Sequence, residues 1–346
     1  MPKLPQIPEK FIAVILYTCL FLSAAFTTFV VISLRKNIEV PKQHAISLPV
    51  ATPAPTPKPK TQYSILLLGR GGAGHDGGGL ADTIILLTAD KATKKAATIS
   101  VPRDTFYMNQ KINNTYAIGG GILAKQAVQE VTGLDVDYFV SIDFGGFERA
   151  IDTLEGIDVL VPVAFDDYFY PIKGKEDDPC GMSAEQINQI VATTSGYLRE
   201  QQFTCRYEHL HFDQGVTHMD GVTALKFVRS RHSEQHGGDF ARSQRQEAVL
   251  KAVSQKALSL GALKNIPAFF NQFSSIINTD LDANVIKIFY EMLGDPANYT
   301  QKRVSLTTEN VFNETYSSQG AYILIPKAGV DNFGPIHDFI RNEMLR

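Results

Sequence analysis

Arg229, Arg231, Arg242, Arg245 and Gln246 stand together in one stretch, FVRSRHSEQHGGDFARSQRQ, between residues 227 and 246. Planar guanidinium forks that converge replace the water around a multiply charged oxyanion with paired, charge-assisted hydrogen bonds. A nucleic-acid surface uses arginines in this way, and so does a buried phosphate site. The charge balance separates the two. The chain has 346 residues, with 33 Lys plus Arg against 36 Asp plus Glu and a formal net charge of −3. A nonspecific polyanion binder carries a basic excess, so these arginines belong to a local site and nucleic acid is not an expected partner.

Two other stretches carry comparable chemistry. In ISVPRDTF a strand ends at Pro102, and Arg103 and Asp104 emerge at its carboxyl end, where α/β sheets place ligand-binding groups. In GRGGAGHDGGGLADTIIL a glycine-rich loop leads into a strand at Asp82. A glycine loop alone also describes any flexible connection. Loop, Asp82 and the Arg103–Asp104 pair at adjacent strand ends form a stronger set. Lys111 and Asn113, in KINNTYAIGGG, contact phosphate or sugar, or else build a strand-to-helix turn; the residues leave both readings open.

The elements that must position these groups alternate. YSILLLG, TIILLTA, AATISVP, YFVSIDF and IDVLVPV are short apolar runs ended by Gly, Asp or Pro, which read as buried strands. GILAKQAVQEVTG, with Gly133 as C-cap, and GGFERAIDTLEG have helical spacing. HMDGVTALKFVRSR reads as a helix with Asp220 near its start. ARSQRQEAVLKAVSQKAL reads as a long helix with Asp239 as a possible N-cap. Arg242 and Gln246, four apart, share one face of it, while Arg245 joins them or points to solvent. After residue 261 come two helical stretches, the strands RVSLTT and AYILIPK, and a final helix. The fold class is α/β, a central mixed β-sheet sandwiched by helices.

Residues 11–34, FIAVILYTCLFLSAAFTTFVVISL, contain no charge and are long enough to cross a bilayer as one helix. A signal peptide has a shorter apolar core and a small-residue cleavage site, so a retained transmembrane anchor is expected. Lys3 and Lys10 on one side do not outnumber Arg35, Lys36 and Lys42 on the other, so the positive-inside count leaves orientation open. The proline-rich spacer VPKQHAISLPVATPAPTPKPKTQ favours an exported domain held off the membrane. So do Cys180 and Cys205, which bracket a polar insertion and either clip it shut in an oxidising compartment or remain two separate thiols.

LLLGRGGAGHDGGGLADTIIL, ISVPRDT, KINNTYAIGGG, DYFVSIDFGGFERAIDTLEGIDV and MDGVTALKFVRSR…GDFARSQRQ follow one another within residues 63–260. In that order they resemble the LytR–CpsA–Psr family of bacterial envelope proteins. The resemblance implies a membrane-anchored, extracytoplasmic phosphotransferase on the bacterial cell membrane. It would move a glycopolymer from a polyprenyl-pyrophosphate carrier to a hydroxyl of peptidoglycan or another wall acceptor, with the lipid tail in an apolar tunnel between sheet and helices. It implies Mg2+ (or Mn2+) as cofactor. Carried over by motif, Arg103, Arg229, Arg231, Arg242 and Gln246 are head-group contacts, Asp82 is the metal aspartate, and Asp104 contacts metal or orients Arg103. Two departures stand out: GRGGAG lacks the usual aspartate, which Asp76 would supply from elsewhere in the loop, and Leu80 replaces an arginine. The alternatives are a non-catalytic receptor for polyprenyl phosphate or wall polymer, and a pyrophosphate hydrolase on the same scaffold. The organisation that follows is a tail at 1–10, the anchor at 11–34, the spacer at 35–62, and a catalytic domain at 63–260 with its insertion at 164–212. A C-terminal α/β extension at 261–346 packs on that domain or follows it.

Overall fold

The computed structural model describes residues 60–73, 77–261, 266–287 and 298–345. The tail 1–10, the apolar segment 11–34, nearly all of the spacer 35–62, and Asp76 lie outside the described residues. Among the described residues no helix is long and apolar enough to cross a membrane.

The unbroken apolar runs form the sheet. β1 (Gln62–Arg70), β2 (Ala81–Asp90) and β3 (Lys95–Ser100) make an antiparallel meander. A small ribbon, β4 (Phe106–Tyr107) and β5 (Gln110–Lys111), then turns the chain into helix α1 (Asn114–Thr132). The chain returns as β6 (Tyr138–Asp143), parallel to β1, and α2 (Phe144–Thr153) follows directly. Runs without polar alternation need both faces covered. On one face Leu66, Leu68, Leu86 and Ile99, each at most 2% exposed, form a closed core with Ala127 and Val131 of α1. Helix α1 kinks at Gly119 and Gly120, and a Cβ on Gly121 would stand 2.2 Å from the Phe139 ring, so only glycine lets helix and sheet approach this closely.

IDVLV does form a strand, β7 (Ile157–Val161), but outside the main sheet. β8 (Phe165–Pro171) begins the insertion, which runs through α3 (Ala184–Thr193) and α4 (Tyr197–Glu200) and returns as β9 (Tyr207–Phe212), paired with β8. Cys180 and Cys205 are joined as a disulfide within it. β10 (Gly215–Met219) then pairs with β7. His218 and Met219 are therefore strand rather than helix, and the break falls at Asp220, whose carboxylate accepts from Thr223 N (2.8 Å) as N-cap of α5 (Gly221–Arg229). The long helix α6 (Gly238–Ser259) is capped by Gly237 rather than Asp239. A Cβ on Gly237 would meet Ser233 O at 2.1 Å, which excludes any side chain there.

After α7 (Ile266–Asn271), β11 (Ile277–Thr279) pairs with β6. β12 (Thr300–Ser305) pairs with β3, completing the order β11-β6-β1-β2-β3-β12. The stretch after residue 261 thus supplies both edges of the mixed six-stranded sheet. The hairpin β13 (Phe312–Tyr316) and β14 (Tyr322–Pro326) follows, and α8 (Gly334–Leu345) joins α1 on the closed face. The opposite face, where Leu67, Ile85, Val140 and Ile142 point, is different. It is roofed by α2, α5, α6 and α7, but an apolar channel of about 350 Å³ remains between them.

Candidate active site

Every strand end that borders the head of this channel carries a polar group. Asp82 is the second residue of β2, and Arg103 lies just beyond β3; the two pair at 2.5 Å, Arg103 Nη1 to Asp82 Oδ1. Asp104 holds Arg103 from behind, with Oδ2 at 3.5 Å from Arg103 Nε, while Lys111 Nζ donates to its Oδ1 at 2.6 Å. Asp104 thus lies between Arg103 and Lys111. Asn113 is buried and takes part through its backbone, N to Arg103 O at 3.3 Å. Lys111 and Asn113 thus join the turn to Asp104 and Arg103.

Arg229 ends α5, Arg231 follows it, and Arg242 and Gln246 lie one turn apart on α6. With Arg103 and Asp82 they line a single cavity of about 340 Å³. Arg229 stacks on the Phe144 ring (4.2 Å to its centroid) and donates to Tyr170 OH (3.2 Å). That contact fixes the plane of its fork. Four arginines against Asp82 and Asp167 leave a positive surplus that matches the charge of a doubly substituted pyrophosphate.

Arg245 neither joins this cluster nor faces solvent. It is fully buried, donating from Nε to Phe227 O (2.9 Å), from Nη1 to His236 O (2.6 Å) and from Nη2 to Ser230 O. Burial pulls its pKa down to about 10, so it stays charged at neutral pH. From the other side Asp167, 1% exposed, accepts from Ser230 Oγ (2.6 Å), Arg231 N (3.0 Å), His232 N (3.2 Å) and Phe169 N (2.9 Å). Burial raises its pKa, but these hydrogen bonds outweigh that and hold it below the ordinary value. One buried base and one buried acid thus clamp the segment that carries Arg229 and Arg231.

Gln246 Nε2 donates to Thr83 Oγ1 (2.9 Å), and both residues line the arginine cavity and the apolar channel. A polar head over an apolar channel suits an amphiphile with an anionic head. Residues 30–332 match the LytR_cpsA_psr family.

The chain belongs to that family.

Among curated relatives, a polyisoprenyl-teichoic acid–peptidoglycan teichoic acid transferase TagU of Oceanobacillus iheyensis is 27% identical over 280 residues, 78% of this chain and 72% of its own. A protein of the same name from Enterococcus faecalis is 27% identical over 236 residues, 66% of this chain and 64% of its own. The family fold recurs in the crystal structure of B. subtilis TagV (TM-score 0.56, 22% identity, 82% of this chain and 98% of that one). It recurs also in Lin1025 from Listeria innocua (TM-score 0.51, 25% identity, 82% and 99%).

The two departures from the LytR_cpsA_psr pattern have structural readings. Arg70 donates from Nε to Ser141 Oγ (2.9 Å) and its guanidinium lies 5.0 Å from the Tyr116 ring centroid. Leu80 closes a turn onto Gly77 O. Arg70 and Leu80 do not line the arginine cavity, but Gly71, in the loop that lacks the family's aspartate, does. Sequence reasoning missed Thr83, Phe144, Asp167 and Tyr170. Thr83 directly follows Asp82, but the aromatic and acidic partners come from segments that read as helix start and polar insertion.

Proposed function

We propose that the chain is a membrane-anchored, extracytoplasmic glycopolymer transferase acting on a polyprenyl-pyrophosphate donor and a peptidoglycan acceptor. The observation that carries the reading is the junction at Gln246 and Thr83, where a four-arginine cavity opens onto an apolar channel. The names of the TagU relatives, teichoic acid transferases to peptidoglycan, support donor and acceptor class.

Arg103, Arg229, Arg231 and Arg242 bind the pyrophosphate oxygens, and Gln246 marks the point where head becomes tail. Phosphoryl transfer depends mainly on positioning and on charge stabilisation, which these forks supply. The acceptor hydroxyl oxygen forms a bond to the sugar-linked phosphorus. The bridging P–O bond breaks, its electrons leave with polyprenyl monophosphate, and the hydroxyl proton passes to water or to that departing phosphate. Asp82 fits as a holder of Mg2+ (or Mn2+), because magnesium binds through one or two carboxylates plus substrate phosphates and keeps several waters. Bound there, the metal would neutralise charge on the transferring group. Among the described residues, the one converging cluster of metal-capable groups is Asp178, Cys180 and Cys205, and both its sulfurs are spent in the disulfide.

The test is an assay with radiolabelled lipid-linked glycan, peptidoglycan and added magnesium. The transferase reading requires label on peptidoglycan together with release of polyprenyl monophosphate. Release without transfer would make the chain a hydrolase, and lipid binding without either product would make it a receptor.

A further inference from the structure

A second polar cavity, of about 420 Å³, shares Asp82, Arg103, Arg242 and Gln246 with the arginine cavity. The wall that the two do not share comes largely from the end of β12 and the chain after it, through Ser305, Thr307, Thr308, Glu309, Glu314 and Tyr322. This wall is fixed relative to Arg103. Leu324 N of β14 donates to Asp104 O (2.9 Å), and Leu306 N, just past β12, donates to Ser100 O (3.3 Å).

The charge of the two cavities differs in sign. The arginine cavity adds Arg229 and Arg231 to the shared pair, whereas the unshared wall of the second adds carboxylates and no cation. Carboxylates repel a second phosphate. Hydroxyls, carboxylate oxygens and an exposed tyrosine ring suit a neutral, hydroxyl-rich ligand, with the ring against its apolar face. The Tyr322 ring is held edge-on by Tyr316, 6.1 Å away across the hairpin.

We infer that this cavity seats a neutral saccharide of the acceptor glycan and delivers its hydroxyl to the phosphorus held by Arg103 and Arg242. The inference rests on the transferase reading for its direction. An incoming hydroxyl lines up with the leaving phosphate across the phosphorus, so it needs a cavity that reaches Asp82 and Arg103 without being the lipid channel. Glu314 and Tyr322 then set acceptor affinity while leaving donor affinity alone.

Two measurements on the full-length chain in detergent test this. Tri-N-acetylchitotriose is titrated into wild type and into the double variant Glu314→Ala, Tyr322→Ala; both side chains are exposed, so the fold should be kept. Transfer rates are then measured with donor and acceptor varied separately. The expected result is saccharide binding to wild type that falls tenfold or more in the double variant. Acceptor KM should rise by a similar factor, with the polyprenyl-pyrophosphate Kd and melting temperature unchanged. Absence of saccharide binding to wild type would overturn the inference. So would a rise in donor KM with acceptor KM unmoved, which would assign the cavity to the donor's own first sugar. Saccharide binding that depends on Glu314 and Tyr322, in a wild type that does not bind polyprenyl pyrophosphate, would keep the saccharide site and sink the transferase reading instead.

Discussion

Gln246 Nε2 donates to Thr83 Oγ1 over 2.9 Å, and these two residues line all three cavities of the site. The hydrogen bond ties α6 to β2 at the point where anionic head meets apolar tail. Gln246→Leu keeps the volume but loses this bond and the head-group contact, which together set a cost of about 1–2 kcal/mol. Donor affinity should fall roughly tenfold, since ~1.4 kcal/mol is a factor of ten. Gln246→Glu places a negative charge beside the pyrophosphate and should lose more. Calorimetric titration of the lipid checks both.

Arg245 and Arg229 predict opposite phenotypes. Removing Arg245, as in Arg245→Met, leaves the carbonyls of Phe227, Ser230 and His236 buried without their donor. Each unsatisfied buried group costs about 1–3 kcal/mol, so a loss of at least ~3 kcal/mol in stability is expected. Arg229→Ala removes a cavity-lining fork and should leave unfolding within about 1 kcal/mol of wild type while lipid binding weakens. Denaturant unfolding of the two variants side by side decides.

Asp167 gives a pH signature. Its pKa lies below the ordinary carboxylate value in the folded chain, so the unfolded chain binds a proton first as pH falls. The stability it contributes is fully present above the unfolded value of about 4 and is lost as pH drops through the lower folded value. Asp167→Asn should lower stability at pH 7 and flatten the acid limb of the stability curve below pH ~4. An unchanged acid limb would remove Asp167 from the account. The same variant should weaken lipid binding at pH 7, because Arg231 N loses its anchor.

The apolar channel makes a prediction about tail length. Val253→Trp fills space between α6 and the sheet, where Leu67, Ile85 and Val140 face the roof helices. Each buried methylene of a lipid contributes about 0.8 kcal/mol, so the substitution should penalise long polyprenyl chains most. A geranyl pyrophosphate should bind the variant almost as it binds wild type, and an octaprenyl pyrophosphate at least tenfold more weakly. Equal losses for both lipids would place the tail elsewhere.

Much of this was legible in the residue pattern, for identifiable reasons. Arg242 and Gln246 share a face because helical spacing fixes it. Arg103 sits at a strand end because Pro102 stops the ladder. The apolar runs of β1, β2 and β6 read as strands covered on both faces, but periodicity does not say that one covering is a cavity. Arg245 illustrates another limit: three residues from Arg242, it looks like a fourth fork, and only the packed carbonyls of the 227–236 segment reveal it as a buried brace. IDVLV announced a strand, but the end of its partner β10, His218 and Met219, was hidden in an apparent helix. The second polar cavity had no local signature, because its wall is assembled from β3, the end of β12 and a hairpin far along the chain.

Whether the arginine cavity holds the pyrophosphate is decided by the affinity of Arg242→Ala for polyprenyl pyrophosphate, measured by titration beside a thermal melt of the same sample. A charge-assisted hydrogen bond contributes about 1.5–3 kcal/mol, so a loss of an order of magnitude or more in affinity is expected. The melting temperature should barely move, and Arg242→Lys should recover only part of the loss, because an ammonium lacks the planar fork. Affinity that falls only in step with the folded fraction would contradict the account and make Arg242 a structural residue.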